Sequence, residues 1–477
     1  MKSKSLSCLV FIITFLLFSN QLSAQELWGM THLGGDGNLG TIFKYNLNTG
    51  VYTKLYDFSG TDGSKPYGSL FKASDGQLYG MTQLGGLNDK GIIFRFNPST
   101  NTYTKLIDFD GSNGSLPRGN LIEFSTGVLY GTTEFGGTNN IGVLFEYNIS
   151  TNTYTKKVDF DTSLGKYPNF GSLIKASNNL IYGTTIQGGA GDGGTLFEYN
   201  PSSNTFIKKI DFGTVQTQSS FPRNTLFQAS NGFIYGSIDL GSAGLGSTAI
   251  FKYDIGTNTL SLPVTFSSNT LNGGFIQTAD GEIYILSSQG GANNSGAIYQ
   301  FDTTSNNLIK KFDFDADGVN TGRLPQSNFM QASNGNLYAL ASKGGNDHDN
   351  GTLFEYNATT NTFAKKLDFV YISGSLLRGW EPTGNLIEIN STALGVDKTE
   401  TQFDFSLYPN PTIDVVKLQY KSNLNIIAIR LFNSLGSLVK EFKASQTELD
   451  MSKLPTGLYI LKLKTDKGNI SEKIIKE

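Results

Sequence analysis

Apolar and polar positions alternate along this chain in short runs, and the runs return in a fixed order. The copy beginning at Ser69 shows the unit. Leu70 to Ala73 is a short run, and Ser74 to Gln77 is a turn around Asp75-Gly76. Leu78 to Thr82 is a second run, followed by a longer loop, Gln83 to Lys90, that contains Gly85-Gly86. From Gly91 to Asn97 the pattern has period two, with Ile93 and Arg95 on one face and Ile92, Phe94 and Phe96 on the other. Pro98 to Asn101 turns the chain, and Thr102 to Phe109 is the fourth run. Strand-length runs joined by Asp-Gly and Asn-rich turns predict an antiparallel meander of four strands.

The unit recurs seven times. Its clearest mark is the aromatic of the second run: Trp28, Tyr79, Tyr130, Tyr182, Tyr235, Tyr284 and Tyr338, spaced by 51, 51, 52, 53, 49 and 54 residues. Four strands in a unit of about fifty residues predict the blade of a β-propeller. The third run also occurs seven times, from Ile42-Phe43 to Leu353-Phe354. The fourth ends in Asp-Phe at Asp57, Asp108, Asp159, Asp211, Asp313 and Asp368, and in Thr265-Phe266 in the fifth copy. The first run is missing ahead of Trp28, and its seventh copy is Asn385 to Glu388. The C-terminal run is therefore expected to complete blade one, closing a seven-bladed ring over 25–389 and leaving no bare edge.

The ends set the compartment. Lys2 and Lys4, the apolar run Leu9 to Phe18 and Leu22-Ser23-Ala24 make 1–24 a secretory signal peptide. The sole cysteine, Cys8, lies inside it, so the exported chain holds no disulfide and no thiolate metal site. Without Lys2 and Lys4 there are 35 basic and 40 acidic residues, a formal charge of −5. That balance argues against a nucleic-acid partner, and no apolar stretch after the signal peptide is long enough to cross a membrane. A monomer is expected. Gly at 56 of 477 residues fits a turn-rich all-β chain.

With these residues in view, the unit L-Y-G-x-T-x-x-G-G…G-x-[IL]-F-x-[YF]-N…D-F resembles the GloVer tandem repeat of bacterial choice-of-anchor proteins. The resemblance covers about three quarters of the chain and implies a secreted repeat protein with no assigned chemistry. Past a linker at 390–402, residues 403–477 alternate on a shorter scale, predicting a small β-sandwich. Tyr408-Pro409-Asn410-Pro411, then Leu454-Pro455-Thr456-Gly457-Leu458-Tyr459, then Lys473-Ile474-Ile475-Lys476 resemble the type A sorting domain of the type IX secretion system. That resemblance implies a bacterium of the Bacteroidota, export through the periplasm, and type IX machinery as partner. The product would be released or displayed on the surface.

Candidate chemistry is sparse. In an antiparallel blade the tight first-to-second and third-to-fourth turns share one end. The longer second-to-third and blade-to-blade loops share the other, and variable loops on a rigid ring are where binding is usually found. That face carries Asp89, Lys90, Asp192 and Asp347, and the candidate binding residues Arg118, Tyr167, Arg223, Arg323, His348 and Trp380. For any single one of them a solvated loop residue is the plainer reading. Six equivalent prolines (Pro66, Pro117, Pro168, Pro222, Pro325, Pro382) read as rigid turns, and the recurring Asp of Asp-Phe as a backbone acceptor between blades. His32 and His348, with Asp347 and Asp349, are weak candidate ligands for a divalent metal. Asp315, Asp317 and Asn320 resemble the start of a calcium loop but lack its distal Glu, so no cofactor is expected, calcium being the one candidate. No G-x-S-x-G nucleophile is present. The composition and motifs point to a non-catalytic binding or structural propeller with a glycan or surface-protein ligand. The alternative is a polysaccharide hydrolase or lyase with carboxylates at the mouth of the channel.

Overall fold

The structure is a computed structural model. It describes residues 24–477 apart from 169–172, 215–219, 223–224, 241–246, 268–270, 272–273, 346–348, 371–378, 392–404, 421–424, 434–437 and 466–467. Residues 1–23 of the expected signal peptide therefore lie outside the described residues, as do Arg223, Asp347 and His348. The chain divides into two compact units, one spanning Ala24–Asn390 and the other holding Ser391–Glu477.

The larger unit is all-β and propeller-like, built of antiparallel sheets of four strands in sequence order. In the second sheet the strands are Phe71–Lys72, Leu78–Thr82, Ile92–Asn97 and Thr102–Asp108. The first sheet differs: Trp380–Ser391 lies at its edge, next to Ala24–Leu33, Thr41–Asn46 and Tyr52–Asp57. The sheets stack face to face. Phe94 and Phe96 pack with Trp28 and Ile42, whereas Tyr79 and Ile93 on the opposite face pack with Leu129 and Phe145 of the next sheet. Sheets covered on both faces explain why Ile92, Ile93 and Phe94 are buried in succession at the start of the third strand, not only at alternate positions. The stacking returns on itself, because Tyr338, Leu353 and Phe369 of the last repeat share a cluster with Leu27, Phe43 and Leu386 of the first sheet.

Two local devices recur. Every third-to-fourth strand pair is irregular at one point, between Ile93 and Phe94 in the second sheet and between Leu144 and Phe145 in the third, which adds twist to the outer strand. The glycine after the central aromatic makes room for the third-strand ring: a Cβ on Gly131 would stand 2.5 Å from Phe145 Cζ. Gly131→Ala should therefore destabilise the unit by about 1–3 kcal/mol, and Phe145→Leu in the same chain should recover part of the loss. Urea unfolding of the two variants measures both.

The blade-to-blade segments are more ordered than loops. Ser220–Pro222 and Arg323–Pro325 pair as extra strands with Ile234–Leu240 and Leu337–Lys343, and Ser115 bridges Phe135 in the same way. The prolines act by packing: the Cδ atoms of Pro66, Pro117 and Pro168 sit where Cβ atoms on Gly40, Gly91 and Gly142 would lie, 2.6–2.7 Å away. Four of the Asp-Phe aspartates, Asp108, Asp159, Asp211 and Asp313, accept a backbone hydrogen bond from their own sheet and not from a neighbour. Asp108 Oδ1 accepts from Leu87 N at 2.8 Å and Asp159 Oδ1 from Thr138 N at 2.8 Å, each 21 residues back in the preceding loop. Lys105 and Lys156 pair with the same carboxylates at 2.9 Å.

In the smaller unit, Phe405–Tyr408, Val415–Tyr420 and Glu448–Asp450 form one antiparallel sheet. Leu438–Phe442, Ile426–Asn433, Gly457–Thr465 and Gly468–Lys476 form another, in that spatial order. Val416 and Leu449 of the first sheet share one core with Ile429, Leu431, Leu461 and Ile474 of the second.

Candidate functional site

One end of the larger unit is occupied by its own contacts. Its tight turns dock on the neighbouring inner strand: Ser74 N and Oγ donate to Glu123 at 2.8 and 2.5 Å, and Ser333 N and Oγ to Glu388 at 2.8 and 2.6 Å. Ser177 N and Ser230 N donate to Gln228 and Gln277 at 2.8 Å. Side chains spent on holding sheets together are poorly placed to hold a ligand, so the opposite end is the candidate surface.

At that end the backbone is stereotyped while the side chains change. In the second-to-third loops an Asn or Asp accepts from the first glycine of the Gly-Gly pair. The bonds are Gly34 N to Asn38 Oδ1 at 2.9 Å, Gly85 N to Asp89 at 2.8 Å, Gly136 N to Asn140 at 3.1 Å and Gly188 N to Asp192 at 2.8 Å. The residue before five of the six repeated prolines adopts a left-handed conformation: Lys65 (φ 52°), Leu116 (54°), Tyr167 (58°), Leu324 (51°) and Glu381 (50°). Non-glycine residues rarely do so, and such strain persists only where surrounding bonds over-determine it. Here they do. Leu116 N donates to Lys90 O of the preceding sheet at 2.9 Å, and Leu116 O accepts from Glu134 N of its own sheet at 3.3 Å. Lys65 and Tyr167 repeat the pattern with Leu39 and Gln83, and with Ile141 and Ile186.

This tie places the residue after each proline beside the residue four past the central aromatic. The contacts that result are His32 with Tyr67, Gln83 with Arg118 and Arg118 with Glu134. Arg118 is fixed on several sides. Its Nε lies 3.1 Å from Glu134 Oε2, and its guanidinium stands 5.7 Å from the Tyr67 ring centroid. In the amide orientation that satisfies both partners, Gln83 accepts from Arg118 Nη2 at 2.6 Å and Nε at 2.9 Å. His32 meets Tyr67 edge-on at 5.7 Å, with its Nδ1 3.4 Å from Pro66 O. The result is a continuous arc of aromatic and planar polar groups, His32, Tyr67, Gln83, Arg118 and Glu134, across the first three sheets. At the position of His32, Gln83 and Glu134, the fourth to seventh repeats carry Ile186, Asp239, Ser288 and Ser342.

Burial tunes the arc. It lowers the His32 pKa below the usual imidazole value, although the Pro66 carbonyl and the Glu381 charge favour the imidazolium. It raises the Glu134 pKa against the pull of Arg118, and it raises that of Tyr67. A histidine whose folded pKa is depressed binds more protons unfolded than folded, so it costs stability as pH falls below about 6.5 and nothing above that. His32→Gln should flatten the loss of melting temperature between pH 6.5 and the lowered folded pKa, and leave the melting temperature above pH 7 little changed.

The residues expected from the sequence are distributed around this face. Arg118 belongs to the arc. Tyr167 packs on Phe135 at 5.2 Å, one sheet further on. Arg323 is engaged by Asp349 at 3.0 and 2.6 Å. Burial opposes the Asp349 charge, yet Arg323 and the Gly344 N–H hold its pKa below the usual carboxylate value. Trp380 donates Nε1 to Asn38 Oδ1 at 3.0 Å beneath Lys343, which also pairs with Glu381. Asp349 and His32 thus have protein partners, and among the described residues no three His, Cys, Asp or Glu side chains gather as a metal site. Asp317 Oδ1 accepts from Val319 N at 3.0 Å, and Asp315 N donates to Thr321 Oγ1 at 2.9 Å, so the Asp-rich loop folds on itself. Sequence reasoning missed Tyr67, Gln83 and Glu134. Their signal was variation at a fixed repeat position, four residues after the aromatic and one after the proline.

In the smaller unit the Tyr408–Pro411 motif meets the end of the chain. Asn410 Nδ2 donates to Lys473 O at 2.5 Å and its Oδ1 accepts from Ile475 N at 2.9 Å, while Thr412 N donates to Ile475 O at 2.8 Å. Pro455 O accepts from the Tyr459 hydroxyl at 2.8 Å, and Leu454 packs on the core. The motif residues therefore lock the last strand along its outer edge.

A profile of the Gloeobacter/Verrucomicrobia repeat matches residues 18–180 and 123–274, more than half of the chain. The chain belongs to the Gloeobacter/Verrucomicrobia repeat family. The secretion system C-terminal sorting domain matches 406–477, which assigns this repeat protein to export by the type IX system, to the cell surface or the medium. No helix among the described residues is long and apolar enough to cross a membrane. No curated protein matches. Similar solved structures include a candidate 6-phosphogluconolactonase of Bacteroides fragilis, 17% identical with a TM-score of 0.52, covering 78% of this chain and 99% of that one. The periplasmic gluconolactonase of Pseudomonas aeruginosa is 15% identical with a TM-score of 0.52, covering 77% and 100%. At these identities the repeat protein shares a fold with them, and chemistry does not follow from it.

Proposed function

We propose that this protein is a seven-bladed β-propeller, carried outside the cell by a C-terminal β-sandwich over 403–477, and that it binds glycan without catalysis. The binding surface is the arc His32, Tyr67, Gln83, Arg118 and Glu134. The observation that carries the reading is the contrast at this face. Backbone and loop bonds repeat from blade to blade, while on the first three sheets aromatic and planar polar side chains join in one continuous run of contacts. A partly buried aromatic ring beside fixed donors and acceptors suits a sugar, whose C–H face packs on the exposed part of the ring while its hydroxyls bond laterally. Glu134 stands against a guanidinium, an arrangement suited to holding a ligand and unlike the acid-and-nucleophile carboxylate pair of glycosidases.

The test is a glycan array probed with the full chain and with Tyr67→Ala, Arg118→Ala and Leu87→Ala. Leu87 is the control, exposed on the same face but outside the arc. Loss of one contact of this kind costs about 1–3 kcal/mol, so Tyr67→Ala and Arg118→Ala should weaken capture roughly tenfold or more. Leu87→Ala should bind as the parent does. Equal capture by all four proteins would remove the arc from the account.

A further inference from the structure

We propose that the outer face of the four-stranded sheet in the tail is its docking surface, and that the occupant is an acidic protein surface of the export machinery. The inference rests on the tail being a sorting domain and adds which face is read. Strand register defines that face. Ile429, Leu431, Leu461 and Ile474 point into the core, so their alternates point out. On the outer side Leu438 pairs with Phe432, Phe432 with Ile460, and Ile460 with Lys473. One row further, Leu458 pairs with Ile475. Leu438 is 51% exposed, Ile475 39% and Leu458 38%, far more than apolar side chains show in a sheet covered on both faces.

Charge says what fits there. Lys462 and Lys464 alternate along the same strand as Leu458, are exposed, and flank the apolar rows. Lys462 lies 5.1 Å over the Phe432 ring. Lys473 is exposed beside Ile460. Among the described residues of these strands Glu441 is the carboxylate on that side, and Arg430 pairs with it at 2.9 Å. Three lysines thus surround an apolar strip in a protein of net negative charge. A surface with an apolar centre and a one-signed rim selects a partner of opposite sign. The clamp by Asn410 and Thr412 on Lys473 and Ile475 holds the last strand of this face in register.

The experiment is secretion of the full chain in a bacterium with a type IX system, comparing extracellular with periplasmic protein. One variant carries Lys462→Glu, Lys464→Glu and Lys473→Glu, and a second carries Leu458→Ser and Ile475→Ser. A control carries Lys417→Glu, Lys443→Glu and Lys453→Glu, the same charge change away from this face. Each is purified from the periplasm and melted, and a Lys→Gln version of the first replaces it if it does not fold. Secretion should fall about tenfold or more in both face variants and stay within about twofold in the control. If the control falls equally, or the folded face variants are secreted normally, the docking face is wrong even though deleting the tail stops export. If the lysine variant loses binding to phosphatidylglycerol vesicles but is still secreted, the face reads lipid and the proposal is overturned. If deleting the tail leaves export intact, the sorting reading fails first.

Discussion

A chain ending at Asp368 should not form a stable repeat domain, whereas one ending at Ser391 should melt cooperatively. The strand Trp380–Ser391 edges the first sheet, and its Leu386 and Ile389 are buried in the two clusters that flank that sheet. Losing each costs about 2–5 kcal/mol. Asn385 Oδ1 accepts from Asn328 N at 2.7 Å, and Asn385 N donates to Ser69 Oγ at 2.6 Å, joining the last repeat to the second. Glu388 holds the Ser333 turn. Together these losses reach the whole stability of an ordinary domain, about 5–15 kcal/mol, and leave the edge of Ala24–Leu33 open to pairing with another copy. Calorimetry and gel filtration measure the outcome. A chain ending at Asp368 that melts as a monomer at the temperature of the longer one would contradict closure by the C-terminal strand.

The second large effect concerns export. Deleting 403–477 should leave a folded repeat domain with an unchanged melting temperature, retained in the periplasm. The tail has its own core, built on Val416, Ile429, Leu461 and Ile474, and the repeat unit has its own clusters, so neither is expected to need the other to fold. Fractionation of cells expressing the deletion reads the result. Normal amounts of truncated protein in the medium would mean that the address lies elsewhere in the chain.

The repeat was legible because its signals are local: the aromatic-glycine pair, the Asp-Gly turns and the Asp-Phe ends all fall within one unit of about fifty residues. The tail was legible for the same reason, through Tyr408–Pro411 and Leu454–Tyr459. The arc was not, because His32, Tyr67 and Arg118 lie in three different repeats and meet only through the tie made by the left-handed residues before the prolines. Position in a variable loop marked Arg323 and Trp380 as candidates, but sequence cannot show that Asp349 and Asn38 already engage them. The Asp-Phe acceptors were assigned to the wrong donors, because a bond across 21 residues within one sheet and a bond between sheets leave the same pattern in sequence.

The most direct test of the central claim is turnover. Any glycan captured by the full chain should be incubated with it at high protein concentration, and new reducing ends and unsaturated products measured over days. The account predicts binding that depends on Tyr67 and Arg118, with the glycan recovered intact. Cleavage that disappears in Glu134→Gln would contradict it and make the arc an active site.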